Sequence, residues 1–323
     1  MNNRYSYSRL TTYIQCPRKH YYNYIEKVKV PDSPSAMPGT LFHKCCELYL
    51  KGEPKEALEE VYTEWDMLSA EGKINKEAGL LKYIFELYLG YYREAFEEET
   101  NILTEYKFED ILNDASLPEE EQDIFSGIID EVYQSKGLTI VRDRKTALND
   151  LKYTYDKVKF NQQLLLYVPY VEETLGLKVD AIEIDEVRLD KLQPVPLLKN
   201  GKPSKDKSKL SLVTYKSYYN KLAEMCLEDE KEYKGVLEWL EKRGHPLFNR
   251  VRVQLLDDRI LNSNAQDILD LYDTIKQKPN CQYRARSILC GYCPFKELCD
   301  LDMENPDEDI RNAVLDKLAK ELV

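Results

Sequence analysis

Three residues in the stretch GIIDEVYQSKGLTIVRDRKT could do phosphate chemistry together: Asp130, Asp143 and Lys145. If QSKG turns a hairpin between Lys136 and Gly137, counting outwards in equal steps sets Asp130 opposite Asp143. Side chains alternate along a strand, so Asp143 and Lys145 share one face while Arg144 points away. Two adjacent carboxylates repel unless a cation sits between them. A hard divalent ion, Mg²⁺ or Mn²⁺, would take those carboxylates and complete its shell with water and substrate phosphate oxygens. A lysine two residues on would orient or deprotonate an attacking water and stabilise charge at phosphorus. A hairpin whose charges only face solvent would carry the same letters, and D-x-K alone arises easily by chance.

Other residues could complete such a site. In FNQQLLLYV, Gln163 and Tyr167 are four apart and lie on one helical face. Pro169 is expected to kink or end that helix, leaving Tyr167 in its last regular turn. His43, in GTLFHKCCELYL, is one of three histidines in the chain. A lone helical histidine is more often structural than a ligand.

The elements that must position these residues can be read in outline. Residues 1–50 read as helical, interrupted by DSPSAMPG, with a new helix from near Thr40. Residues 51–100 continue the helical pattern, with Leu81, Ile84, Leu87, Tyr88 and Tyr91 at core-like spacing. From about 101 the period shortens: ILTEYKFEDIL, DIFSGIIDEVY and LTIVRDRKT read as a three-stranded meander. A helical segment, about 154–175, separates these from a fourth strand, VDAIEIDEVRL, which implies an α/β core. The chain then divides into a helical N-terminal region (1–100), a core (101–190), an insertion (191–280) and a cysteine-bearing C-terminal part (281–323) ending in an amphipathic helix over 306–322.

With 323 residues and 43% hydrophobic content, the chain can bury a sizeable core. No apolar run approaches the ~20 residues a bilayer span needs, so a soluble, cytoplasmic protein with no membrane partner is expected. The net charge of −12 argues against nucleic-acid binding by overall basicity, although a local patch can act against a global deficit. KNGKPSKDKSK is such a patch: Lys199, Lys202, Lys205, Lys207 and Lys209 on what reads as a mobile loop, able to hold a phosphate backbone or merely to be solvated.

In order, G-x-x-x-H (Gly39 to His43), G-I-I-D (Asp130), D-R-K (Asp143, Lys145) and Q-x-x-x-Y (Gln163, Tyr167) resemble the RecB-like branch of the PD-(D/E)XK nuclease superfamily. The resemblance covers residues 1–190 and the C-terminal cysteines. It implies a mixed sheet flanked by helices, metal contacts from His43, Asp130 and Asp143, Lys145 as the catalytic lysine, and Gln163 and Tyr167 placing a DNA strand. It further implies an exonuclease acting on single strands or ends, with room for a protein partner in recombination, repair or spacer acquisition.

Eight cysteines in a chain of this type need a reason other than disulfides. Cys290, Cys293 and Cys299 form C-x2-C-x5-C, three thiolates that need a fourth ligand to close an all-cysteine site. Cys16 is a candidate, because Pro17 follows it as Pro294 follows Cys293; Cys281 is the local competitor. Zinc and an iron-sulfur cluster both suit the ligand chemistry. The same nuclease branch includes cluster-bearing members, among them the AddB nuclease domain and CRISPR-associated exonucleases. They resemble this chain in having one cysteine far upstream and three just after the nuclease motifs, which implies Cys16 and a 4Fe-4S cluster clipping the chain ends together. Cys45, Cys46 and Cys226 fit no pattern and are expected to be buried. The other functional classes are a catalytically silent DNA-binding or adaptor module of the same fold, and a redox-responsive protein built around the cluster.

Overall fold

The computed structural model describes residues 4–30, 36–113, 115–147, 149–255, 257–304 and 307–320. A short strand β1 (Arg4–Tyr5) leads into α1 (Tyr7–Gln15), α2 (Pro17–His20) and a π-helical turn at Tyr21–Ile25. Four helices follow: α3 (Met37–Leu50), α4 (Lys55–Ala70), α5 (Leu80–Tyr91) and α6 (Arg93–Glu98). The meander is β2 (Glu99–Ile111), β3 (Ile124–Ser135) and β4 (Leu138–Ala147), antiparallel throughout. Two helices, α7 (Tyr155–Lys159) and α8 (Gln162–Leu175), then cross to β5 (Ala181–Arg188), which runs parallel to β4.

The expected single helix over 154–175 is therefore two, divided where the Asn161 side chain caps α8 by accepting the N–H of Leu164. Pro169 does not end α8, which continues to Leu175 and a left-handed Gly176. Proline removes one backbone donor, and the surrounding residues Leu164, Val168 and Val171 are fully buried, so packing carries the helix past it.

The stretch read as an insertion holds two elements of the main body. After α9 (Tyr215–Glu224) and α10 (Lys231–Arg243), strand β6 (Phe248–Gln254) pairs antiparallel with β5. Helix α11 (Asp258–Gln277) then packs on the apolar core formed with α1 and α8, burying Ile268, Tyr272 and Ile275. The result is a six-stranded mixed sheet in the order β1-β3-β4-β5-β6, with β2 also on β3. Helices α9 and α10 make their own small core around Tyr218, Leu222, Tyr233 and Leu240.

The basic stretch is ordered, with Leu197 and Pro203 in a β-bridge and a short 3₁₀ turn at Lys207–Leu210. Lys205 and Lys202 pair with Glu232 at 2.6 and 3.6 Å, so part of that positive charge is answered within the protein. The N- and C-terminal segments meet: Arg18 donates to the carbonyl of Gln282 and Tyr22 to Asp302, while Tyr22 packs with Phe295, Leu298 and Leu318 of the segment carrying α12 (Lys296–Leu301) and α13 (Glu308–Lys320). Of the three unpatterned cysteines, Cys45 and Cys46 are buried, whereas Cys226 is exposed, in a turn with φ of 55° after α9. Among the described residues no helix is long and apolar enough to cross a membrane.

Candidate active site

The hairpin register is the one counted from the turn. Lys136 and Gly137 both take positive φ, and Ser135 pairs with Leu138 and Glu131 with Arg142, which carries Asp130 to the level of Asp143. The Oδ2 of Asp130 accepts the backbone N–H of Arg144 at 2.7 Å, tying the first carboxylate to the second strand. Asp143 is buried, and its Oδ1 accepts from Lys145 Nζ at 3.0 Å. Lys145 Nζ also donates to Gln163 Oε1 at 3.2 Å, and Gln163 Nε2 donates to the Tyr167 hydroxyl at 3.2 Å. One relay therefore runs from Asp143 through Lys145 and Gln163 to Tyr167.

Two glycines let other elements approach. A Cβ on Gly39 of α3 would lie 2.7 Å from Thr146 Oγ1, so only glycine lets this helix rest against β4 and bring His43 over the strand. A Cβ on Gly127 would lie 2.6 Å from the Phe108 ring and 3.1 Å from Tyr167. These are the glycines of the G-x-x-x-H and G-I-I-D patterns, and the contacts account for both.

His43 Nδ1 stands 3.5 Å from Asp130 Oδ2. Burial, with the Arg144 and Lys145 charges, pushes this imidazole down to about 4, so it is neutral and free to ligate. Glu105 of β2, which sequence reasoning passed over, joins them. It falls between the pairs Thr104–Glu131 and Tyr106–Ile129, opposite Asp130, and adopts a left-handed φ of 50°. Ligand atoms of His43, Glu105 and Asp130 all lie within 4.8 Å of one another.

Electrostatics favour a cation here. Burial and the charge of Asp130 push Glu105 up to about 7. Burial likewise raises Asp130, and pushes Asp143 up to about 6 despite Lys145. The Oδ2 of Asp143 is buried and lies 2.8 Å from the Lys145 ammonium, which is its ion-pair partner. Carboxylates that resist ionisation and a neutral imidazole form a donor set of oxygens and one nitrogen suited to a divalent ion. Asp143 does not join the close His43–Glu105–Asp130 group, because Lys145 holds it. Burial lowers Lys145, but the charge and hydrogen bond of Asp143, with the charge of Asp130, together outweigh it and the ammonium is raised. All seven of these side chains, with Tyr7 of α1, line one open cavity of about 740 Å³. The five lysines of the basic stretch are not among its lining residues.

A mixed sheet that presents an Asp…Asp-x-Lys constellation in a cleft beside an open metal-ligand group is the architecture of a metal-dependent phosphodiesterase site. The model of the PD-(D/E)XK nuclease superfamily matches residues 4–300, and the chain belongs to that superfamily. Among solved structures, one titled "Crystal structure of SSO0001" is similar over 93% of this chain and 86% of its own, at 14% identity and a TM-score of 0.36. No curated protein matches.

Proposed function

We propose that this nuclease is a divalent-metal-dependent deoxyribonuclease, acting as an exonuclease on single strands or DNA ends. The observation that carries the reading is the convergence of Asp130, Asp143, Lys145, His43 and Glu105, brought from four elements, in one open cleft. In it His43, Glu105, Asp130 and Asp143 would hold Mg²⁺ or Mn²⁺, which when bound polarises the scissile phosphate. Lys145 orients the attacking water and donates to the phosphoryl oxygens as charge develops. Gln163 fixes the lysine, Tyr167 fixes Gln163, and both present polar atoms to the incoming strand. The preference for DNA ends is what the resemblance to RecB-like nucleases supports. The wild-type protein incubated with end-labelled single- and double-stranded DNA should cleave with Mg²⁺ or Mn²⁺, stop with EDTA, and give a ladder shortening from one end. Binding without cleavage, by folded protein in every metal, would instead point to the adaptor class.

We further infer that Cys16, Cys290, Cys293 and Cys299 hold a 4Fe-4S cluster that clips the chain ends. Supporting this, Cys16 and Cys299 lie close enough to Cys293 for their charges to add to burial in raising its thiol. The Arg284 guanidinium is within reach of both Cys299 and Cys290. Lys19 and Arg18 face Cys293 and Cys299, a cationic surround suited to an anionic cluster. Cys281 is instead hydrogen-bonded to Tyr13 and packed against the main core. Cys16→Ser in anaerobically purified protein should bleach the visible cluster absorbance and lower the melting temperature, and Cys281→Ser should do neither; the reverse pattern would remove Cys16 from the ligand set.

A further inference from the structure

A second cavity, of about 570 Å³, opens where β5 ends and the inserted helices return to the sheet. Tyr91, Tyr92, Tyr153, His245 and Phe248 line it, and three of these rings pack together. Tyr91, at the end of α5 and half exposed, has its ring 4.5 Å from His245 and 5.4 Å from Phe248. His245 lies parallel to Phe248 at 4.6 Å. Burial, together with the Arg243 charge, pushes His245 down to about 4, and its Nδ1 accepts the N–H of Leu247 at 3.2 Å. The imidazole is thus neutral and serves as a flat aromatic surface.

Three arginines line the cavity, together with Asp150, and one of them, Arg250, is committed to Glu99 and Asp185. Arg188 comes from the last position of β5 and Arg243 from the last position of α10, and they are close enough that Arg188 adds to burial in lowering Arg243. Arg188 pairs with Asp150 and Asp190 at 3.2 and 3.0 Å, and Arg243 donates to the carbonyls of Leu210 and Val213. The Nε of Arg188 and that of Arg243 are nevertheless buried with no hydrogen-bond partner. A buried donor left unpaired is costly, and a phosphate oxygen within reach of these two Nε–H groups would satisfy them with charge-assisted hydrogen bonds.

We propose that this cavity is a nucleotide subsite, with a base stacked on Tyr91 and His245 and its phosphate received by Arg188 and Arg243. The proposal rests on the nuclease reading and gives the inserted helices a role, since Arg243 and His245 follow directly from α10. Tyr153 lines this cavity, and its hydroxyl feels the charges of Lys145 and Asp143 from the first. Glu186, paired in register with Lys145, accepts the backbone N–H groups of Lys152 and Tyr153 at 2.8 and 3.1 Å and fixes that backbone. A strand with its scissile phosphate at Lys145 passes Tyr153 into the aromatic cavity. The ligand is a nucleoside monophosphate unit, either a flanking nucleotide of the bound strand or a mononucleotide released by cleavage.

The test uses full-length Lys145→Ala protein without divalent metal, so that nothing is cut, with anisotropy of a labelled single-stranded oligodeoxynucleotide and calorimetry of deoxyadenosine monophosphate. Adding Tyr91→Ala should weaken oligonucleotide binding about ten-fold, the scale of one stacked base, and Tyr91→Phe should restore it. Arg188→Gln should weaken it as well and reduce its salt dependence. Monophosphate binding lost with Tyr91→Ala would assign the cavity to the released nucleotide; a response by the oligonucleotide alone would assign it to the strand. Oligonucleotide affinity unchanged in both Tyr91→Ala and Arg188→Gln would overturn the subsite and leave the nuclease reading intact. A folded protein that binds neither ligand would overturn both.

Discussion

Lys145→Ala should lower cleavage by about 10³-fold while leaving the fold in place, as expected when a group that orients water and stabilises developing charge is removed. The fold survives because Asp143, the partner left behind, has an alternative to an unpaired charge. Burial already pushes its carboxyl up to about 6, and the Lys145 charge is what holds it from rising further. Without the lysine, Asp143 takes up a proton and remains buried as a neutral acid. The same coupling fixes the sign of the pH effect: the ionised carboxylate required for metal binding appears only at higher pH in the variant, so its residual activity should shift to more alkaline conditions. Lys145→Arg should not rescue, because the planar fork of a guanidinium does not fit the single ammonium position between Asp143 and Gln163. Rates measured across pH, with circular dichroism as the control for folding, decide the matter. A Lys145→Ala enzyme that cuts at the wild-type rate would remove the lysine from the chemistry.

How far the sequence discloses this site depends on how each residue is connected. Asp130, Asp143 and Lys145 are legible because a two-residue turn lets the register be counted directly. Glu105 is not, because the twelve residues between Ile111 and Ile124 conceal the β2–β3 register, and an irregularity between Asn101 and Leu103 shifts it again. Gln163 and Tyr167 follow from helical spacing, while Pro169 misleads because local proline chemistry is overridden by packing. Strand β6 hides for another reason. In FNRVRVQ the arginines Arg250 and Arg252, which alternate with valines, point into the protein, so inside and outside are not distinguished by polarity. The alternation is present in the letters, but its partner strand lies more than sixty residues earlier in the chain.

Those arginines belong to a buried ionic layer on the face of the sheet opposite the site, and Arg142→Ala should be the most destabilising single change in the protein. The Arg142 guanidinium is fully buried and donates to Glu99, Glu131 and Glu183, at 2.6 Å in the last case. Arg144 also binds Glu131, Arg250 binds Glu99 and Asp185, and Arg252 binds Glu183, so four cations from β4 and β6 neutralise four carboxylates from β2, β3 and β5. Strand β4 thus sends Arg142 and Arg144 to one face and Asp143 and Lys145 to the other, and the ionic layer anchors the strand that carries Asp143 and Lys145. Truncating Arg142 leaves three acids buried around an empty position, at a cost of about 3–5 kcal/mol, a large part of a typical domain's stability. Replacing Arg142 and Glu183 together by methionine should recover part of the loss, because an apolar pair removes the uncompensated charge. The pH dependence follows from Glu183: its arginines overcome burial and hold it down to about 2, below the usual value of 4.5. Its folded pKa is depressed, so its contribution is present above about 4.5 and is lost as pH falls towards 2. The site carboxylates act in the opposite sense. Asp143 at about 6 and Glu105 at about 7 are raised, so in metal-free protein their contribution is full in acid and is lost as pH rises through those values. Melting of wild type and Arg142→Ala from acid to neutral pH, with and without Mg²⁺, separates the two: the deficit of the variant should be full above about 4.5 and narrow as pH falls towards 2, and Mg²⁺ should restore only the neutral-side loss from the site carboxylates. Equal melting temperatures for both proteins across that range would show that the ionic layer does not hold the sheet.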